Sequence, residues 1–139
     1  MQPFRNIRVV DLSGLAGAYG TRILAALGAE VIKVERPSGG ALRQLAPFVD
    51  DVEDPDNSLW WAFLAQGSKS VVLDLDDDAG RVQLAALLAT ADVVLDDHLP
   101  DVWDEAGIGF ERIREANPGL VWVSITPFGC TGSKRHWAS

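Results

Sequence analysis

The chain has 139 residues, of which 47% are hydrophobic, with a formal net charge of −8 and a pI near 4.6. This length predicts one domain over residues 1–139, and the apolar content is sufficient for a hydrophobic core. The acidic balance argues against nucleic-acid binding, which requires a basic surface. One cysteine, Cys130, and two histidines argue against an internal disulfide and against a metal site.

The N-terminal residues lack the apolar core of a signal peptide, and no apolar run is long enough to span a bilayer. We therefore predict a cytoplasmic protein with no membrane partner. An acidic protein can still carry a local cationic pocket, so a small anionic ligand remains compatible with this composition.

The segment Ile7–Pro37 predicts a strand, a glycine turn, a helix and a second strand. An apolar, β-branched run ends at Leu12, a turn follows over Ser13–Gly17, and the helix is expected to begin beyond Gly17 and end at Gly28. This order is typical of a parallel sheet. The helix N-terminus offers unpaired amides at the carboxyl edge of the sheet, where such folds bind phosphates or carboxylates. The alternative is that the glycines only form a tight turn.

The rest of the chain continues the alternation of helices and strands. An acidic stretch within residues 41–57 has no clear period and predicts an exposed loop. The later predicted elements are a helix capped by Ser58 over residues 59–64, a strand at 70–75, a helix from about 76 to 90, a strand at 91–95, a weak helix near 102–103, a helix at 110–116 and a strand at 120–125. We predict an α/β fold with a Rossmann-like open, mostly parallel sheet and helices on both faces.

The residues alone do not define a chemistry. The turn Gly14–Gly17 lacks the G-x-G-x-x-G spacing, so NAD binding through Glu35 at the end of the second strand is a weak alternative. Asp97 and His98 are adjacent, and His98 is interpreted as a loop or ligand-wall residue rather than a catalytic base. Cys130 has no activating neighbour in sequence. These patterns indicate an anion-binding α/β domain.

Four blocks of sequence resemble the family III coenzyme A transferases. NIRVVDLSGLAGAYGTRILAALGAEVIKVERPSGG is similar to the N-terminal signature of that family. SKSVVLDLDDDAGR, ADVVLDDHLP and GIGFERIREANPGLVWVSITPFGCTG follow in the family's order and extend the resemblance over nearly the whole chain.

The resemblance implies a coenzyme A-binding domain within an interlaced homodimer that transfers CoA between an acyl-CoA and a carboxylic acid. In the family an aspartate forms an aspartyl-CoA intermediate, which is covalent catalysis by a carboxylate. The related α-methylacyl-CoA racemases share the fold and use a His/Asp pair to move the α-proton. Both catalytic positions fall after Ser139, so the resemblance implies the N-terminal portion of a longer protein with no catalytic residue in this chain.

The resemblance also implies the residues that contact CoA. They are Leu15, Ala16, Arg36, Leu73, Asp74, Leu75, Asp97 and His98. Arg36 is suited to a nucleotide phosphate. The family has an asparagine and an aromatic residue where this chain has Asp97 and His98.

Several positions depart from the family pattern. Asp76 stands where the family often has a lysine, and Glu105 stands where it usually has an arginine. Ala18 replaces a proline, and Asp101 replaces a glycine. Because acids near a polyphosphate oppose its binding, a non-catalytic half of a fused CoA-transferase is an alternative.

Overall fold

The computed structural model describes residues 2–99 and 101–137 of the chain. Five strands form one sheet, and they are β1 Arg8–Asp11, β2 Glu30–Glu35, β3 Lys69–Val72, β4 Val93–Asp96 and β5 Val121–Ser124. All neighbouring strands are parallel, and their order in the sheet is β3-β2-β1-β4-β5. This all-parallel sheet confirms the predicted open α/β architecture.

Helices connect the strands. They are α1 Leu15–Ala26, α2 Leu59–Leu64, α3 Asp78–Leu88, α4 Val102–Glu105 and α5 Phe110–Ala116, with short 3-10 turns at Ala41–Gln44 and Val49–Asp51. Among the described residues, no helix has both the length and the hydrophobicity that crossing a membrane requires.

The core lies on both faces of the sheet because successive side chains of a strand point to opposite sides. Val9 of β1 packs on one face with β2 and with Leu24 of α1. Val10, the next residue, packs on the other face with Leu84 of α3 and Ile113 of α5. Val9 and Val10 are both fully buried. Helices therefore cover both faces, as predicted.

Helix α1 begins at Leu15, so the expectation that it starts beyond Gly17 is wrong. A side chain at Gly17 would place its Cβ only 2.1 Å from Oγ of Ser13. The connection between β1 and α1 therefore packs so closely against residue 17 that only glycine fits there. Gly28, with φ of 102°, follows the end of α1 and confirms the predicted helix stop.

The loop over residues 41–57 is exposed at 49–56, as predicted, whereas its first residues pack against the domain. Leu42 is 1% exposed and packs with Ala18 and Leu64 in a small core of its own. The Ser58 hydroxyl donates to the carbonyl oxygens of Leu42 and Leu45, and it accepts from the Trp61 amide. Ser58 therefore caps α2, as predicted, and also ties this loop to the domain.

Strand β3 ends at Val72, three residues earlier than the predicted strand. The Leu73 amide still donates to the carbonyl of Glu35. The Asp74 carboxylate then accepts from the Asp76 amide, at 3.1 Å, and this local hydrogen bond turns the chain toward α3.

Candidate functional site

The sheet order places β1 next to β4, and the chain leaves these two strands in different directions. In open parallel sheets this switch point forms a crevice at the carboxyl ends of the strands. A cavity of about 290 Å³ lies at that edge, and we call it the switch-point cavity. It is lined by residues 12–14, 33–36, 39–42, 75, 97–98 and 103.

Four of the eight residues that the resemblance implied as CoA contacts line this cavity. They are Arg36, Leu75, Asp97 and His98. They come from three separate parts of the sequence and meet because β2, β3 and β4 end at the same edge of the sheet.

The other four residues lie around the cavity in different settings. Leu15 and Ala16 are exposed in the first turn of α1, directly after Gly14 in the cavity wall. Asp74 is exposed and borders a shallow depression that it shares with Arg36. Leu73 is 6% exposed, packs in the core and does not line the cavity.

A buried ion pair fixes the floor of the site. Nζ of Lys33 lies 2.7 Å from Oδ2 of Asp11 and donates to the backbone carbonyl of Ser13 at 2.9 Å. Oδ1 of Asp11 accepts from the Ser13 amide at 2.9 Å and from the Ser13 hydroxyl at 2.5 Å. Sequence reasoning missed this cluster, although charged residues inside two buried apolar strands were its signal. The pair holds the turn that leads into α1.

Asp97 lies at the N-terminus of α1. The Gly14 amide donates to both carboxylate oxygens of Asp97, each at 2.9 Å. A carboxylate at a helix N-terminus is favoured by the partial positive charge there. The N-terminus of α1, which the sequence predicted to bind an anionic ligand, therefore already binds the carboxylate of Asp97.

His98 is held by a buried carboxylate. Its Nδ1 lies 2.7 Å from Oδ1 of Asp96, which is 3% exposed. The same oxygen accepts from Nε1 of Trp103 at 2.8 Å, and the two rings meet edge to face at 4.7 Å. These contacts fix the imidazole ring in the wall of the switch-point cavity.

Glu35, the residue considered for a ribose, is fully engaged within the protein. Arg43 donates to both of its oxygens, at 2.6 and 3.1 Å, and Ser70 and the Gly40 amide donate as well. Burial raises the pKa of Glu35, but these hydrogen bonds outweigh it and hold the pKa below its usual value. Glu35 is therefore not free to bind the ribose of NAD, and this argues against the NAD alternative.

The Arg43 side chain links this carboxylate to the loop. Its guanidinium stacks over the ring of Trp61 at 3.7 Å and also contacts Asp56 at 2.7 Å. The hydrogen bond to Glu35 raises the pKa of Arg43, so the guanidinium stays charged. These contacts of Arg43 hold the neighbouring loop residues 39–42, which line the switch-point cavity.

Arg36, the predicted phosphate partner, faces Asp76 across the rim. Nη1 of Arg36 lies 3.5 Å from Oδ2 of Asp76, and both side chains are more than half exposed. An exposed pair of this kind is weak and leaves the guanidinium accessible. Asp76 nevertheless reduces the positive potential that a phosphate would meet.

A second cavity of about 360 Å³ lies on the other side of His98 and Trp103. Phe110 and Trp122 form an edge-to-face pair in its wall, and Arg135 contacts Asp101 at 2.9 Å on its rim. Cys130 lines it and is exposed.

The parallel sheet and the crevice at its switch point define an open-sheet α/β protein with a cavity at the carboxyl ends of its strands. The model of the CoA-transferase family III matches residues 4–139. This chain belongs to the CoA-transferase family III.

Curated relatives agree in sequence. A subunit of the succinyl-CoA:(R)-benzylsuccinate CoA-transferase of Thauera aromatica is 36% identical over 131 residues, which cover 94% of this chain and 32% of that protein. The acetyl-CoA:oxalate CoA-transferase of Acetobacter aceti is 36% identical over 137 residues, covering 97% of this chain and 34% of that protein. The chain thus spans about a third of the length of these relatives.

A solved structure agrees in fold. A CAIB/BAIF family protein from Brucella suis superposes with a TM-score of 0.89 at 34% identity, over 99% of this chain and 36% of that one.

Proposed function

We propose that this chain is the N-terminal, coenzyme A-binding part of a longer, cytoplasmic and homodimeric family III CoA-transferase, which transfers CoA between carboxylic acids. Family membership over residues 4–139 supports the reaction class. The coverage of only about a third of the curated relatives supports the assignment to a longer protein.

The observation that carries this proposal is the convergence at the switch-point cavity. Arg36, Leu75, Asp97 and His98 are distant in sequence, yet they line one cavity at the edge where open parallel sheets bind ligands. Gly14 brings the first turn of α1, with the exposed Leu15 and Ala16, to the same wall. The cavity is proposed to hold the CoA thioester.

In the proposed reaction, an aspartate after Ser139 attacks the thioester carbonyl, which gives a mixed anhydride and releases the CoA thiolate. The thiolate then attacks the aspartyl carbonyl, releases the first carboxylic acid and forms the aspartyl-CoA thioester. The second acid reverses these steps and leaves as its CoA thioester. The residues of this chain bind and orient the carrier, so that the thiolate stays beside the anhydride between the two attacks.

The test is a calorimetric titration of the full-length polypeptide with CoA. We expect one site per chain, and we expect H98A to weaken binding about tenfold because the His98 ring lines the cavity. H136A is the matched control, because His136 lies outside this cavity. The affinity of H136A for CoA should stay within twofold of the wild-type value. No binding at millimolar CoA, or equal loss in both variants, would contradict the proposal.

A second candidate is a non-catalytic half of a fused CoA-transferase, and the Arg36–Asp76 contact favours it, since an acid here opposes phosphate binding. This candidate predicts that the gene downstream of Ser139 encodes no aspartate at the nucleophile position. It also predicts that hydroxylamine traps no aspartyl-CoA intermediate when the purified protein is incubated with succinyl-CoA.

A further inference from the structure

We infer that Asp97 makes the switch-point cavity selective for ligand groups that donate hydrogen bonds and turns anionic groups away from the N-terminus of α1. The inference rests on the proposed function only in treating this cavity as the ligand site. It assigns Asp97 a role in specificity, separate from the transfer chemistry.

The carboxylate of Asp97 retains its capacity to accept. The Gly14 amide supplies one proton, which is shared between the two oxygens at 2.9 Å each. An ionised carboxylate has about four lone-pair positions and no donor, so most of its acceptor capacity faces elsewhere. Asp97 lies in the cavity wall, and a ligand beside Gly14 therefore meets a pure acceptor.

The neighbouring charges do not cancel that carboxylate. Lys33 is engaged by Asp11, whereas Arg36 lies at the cavity rim, where its weak contact with Asp76 leaves it accessible to a ligand phosphate. Among residues 2–99 and 101–137, no cation forms an ion pair with Asp97. A phosphate or carboxylate placed beside Gly14 would face this negative charge at short range, which is unfavourable.

Whether the cavity wall at residue 97 accepts or donates a hydrogen bond depends on one atom of that side chain. Asparagine has the same shape as aspartate, but it carries one acceptor oxygen and one NH2 donor. With asparagine at residue 97, the oxygen would accept from the Gly14 amide and the NH2 group would face the cavity. Asparagine at residue 97 would thus present a donor to the cavity, whereas Asp97 presents an acceptor.

The chemical class of the ligand group follows from this polarity. It is an amide N–H, a hydroxyl or an ammonium group. In a CoA thioester, the amides and hydroxyl of the pantetheine arm meet this requirement and the phosphates do not. We therefore expect the neutral arm to lie beside Gly14 and Asp97, with the phosphates farther out.

The experiment compares two probes by calorimetry on the full-length polypeptide, reduced pantetheine as a neutral donor and inorganic pyrophosphate as an anion. D97N should weaken pantetheine binding about tenfold and strengthen pyrophosphate binding at least fivefold. E53Q removes one charge from the exposed acidic loop and should change both affinities less than twofold. D97A, the second variant, should also lose pantetheine binding.

An unchanged ratio of the two affinities in D97N would overturn the inference, as would the absence of binding of both probes to every variant. If the ratio changes as stated but CoA itself does not bind the wild-type protein, the proposed function fails while the assigned polarity of the wall stands.

Discussion

The ammonium of Lys33 lies 2.7 Å from the carboxylate of Asp11, and both side chains are at most 5% exposed. They sit on adjacent strands, with Asp11 directly opposite Lys33 in the register of β1 and β2. The pair also binds Ser13 and so shapes the turn between β1 and α1. The carboxyl edge that forms the cavity is therefore organised around a buried charge pair.

Replacing Lys33 by methionine should leave the Asp11 carboxylate buried without its partner. Breaking a buried pair in this way typically costs about 3–5 kcal/mol of unfolding free energy. Urea unfolding measures the loss. The double variant D11N/K33M should recover part of it, because no unpaired charge remains.

K69M provides the control for this experiment. Lys69 pairs with Glu30 at the surface, and its side chain is 70% exposed. Its removal should cause a far smaller change in unfolding free energy than K33M. Equal losses in K33M and K69M would show that burial of the Lys33 pair does not matter.

The glycines of α1 allow a matched test of close packing. An added Cβ at Gly17 would approach Oγ of Ser13 to 2.1 Å, whereas at Gly20 the nearest atom lies 3.8 Å away. G17A should destabilise the fold by roughly 1–3 kcal/mol through overpacking. G20A should be neutral or stabilising by up to about 1 kcal/mol, since alanine favours a helix. Thermal unfolding of both variants measures this difference, and loss of stability in G20A alone would contradict it.

Stability should depend on pH through Glu35. Hydrogen bonds from Arg43, Ser70 and Gly40 lower its pKa in the folded state below the ordinary value of 4.5. Because the pKa of Glu35 is lower in the folded than in the unfolded state, Glu35 stabilises the fold fully above pH 4.5. This stabilisation is lost as the pH falls through the folded-state pKa.

The measurement for Glu35 is the unfolding free energy of the wild type and of E35Q between pH 3 and pH 7. The unfolding free energy of the wild type should exceed that of E35Q by a constant amount above about pH 5, and this difference should shrink toward pH 3. An advantage that grows on acidification would contradict the hydrogen-bonded state of Glu35.

Asp76 should limit the affinity for CoA. It lies 3.5 Å from Arg36, the residue on the cavity rim suited to a phosphate. D76K removes a like charge and adds a cation, so CoA binding should strengthen about fivefold at 50 mM salt, with a smaller gain at 300 mM because salt screens exposed charges. E53K is the control for overall charge. An equal gain in both variants would show that Asp76 acts only through net charge.

Much of the fold could be predicted from the sequence because its strands are short apolar runs bounded by glycine and proline turns. Helix α5 was predicted with its observed ends, and the hydroxyl of Ser58 caps α2 as expected. The predicted start of α1 was wrong because Gly14–Gly17 resembles a turn in sequence, whereas in the structure Gly17 lies within the helix and packs closely against Ser13.

The candidate site was predictable in part. The family resemblance named Arg36, Leu75, Asp97 and His98, which the fold brings to one cavity. Several contacts at the site were not predictable from the sequence. The Lys33–Asp11 pair and the Gly14–Asp97 hydrogen bonds depend on strand register and on which loops meet at the sheet edge, whereas the Asp96–His98 contact joins residues two apart and depends on the turn that follows β4.

The most direct test of the proposed site is a crystal structure of the full-length protein with bound CoA. We predict density for CoA in the switch-point cavity, with the pantetheine arm beside Gly14 and Asp97 and the phosphates toward Arg36. A further cavity of about 450 Å³ lies at the opposite edge of the sheet, near Arg8 and Thr90. CoA bound there, or an empty switch-point cavity at saturating CoA, would contradict the proposed site.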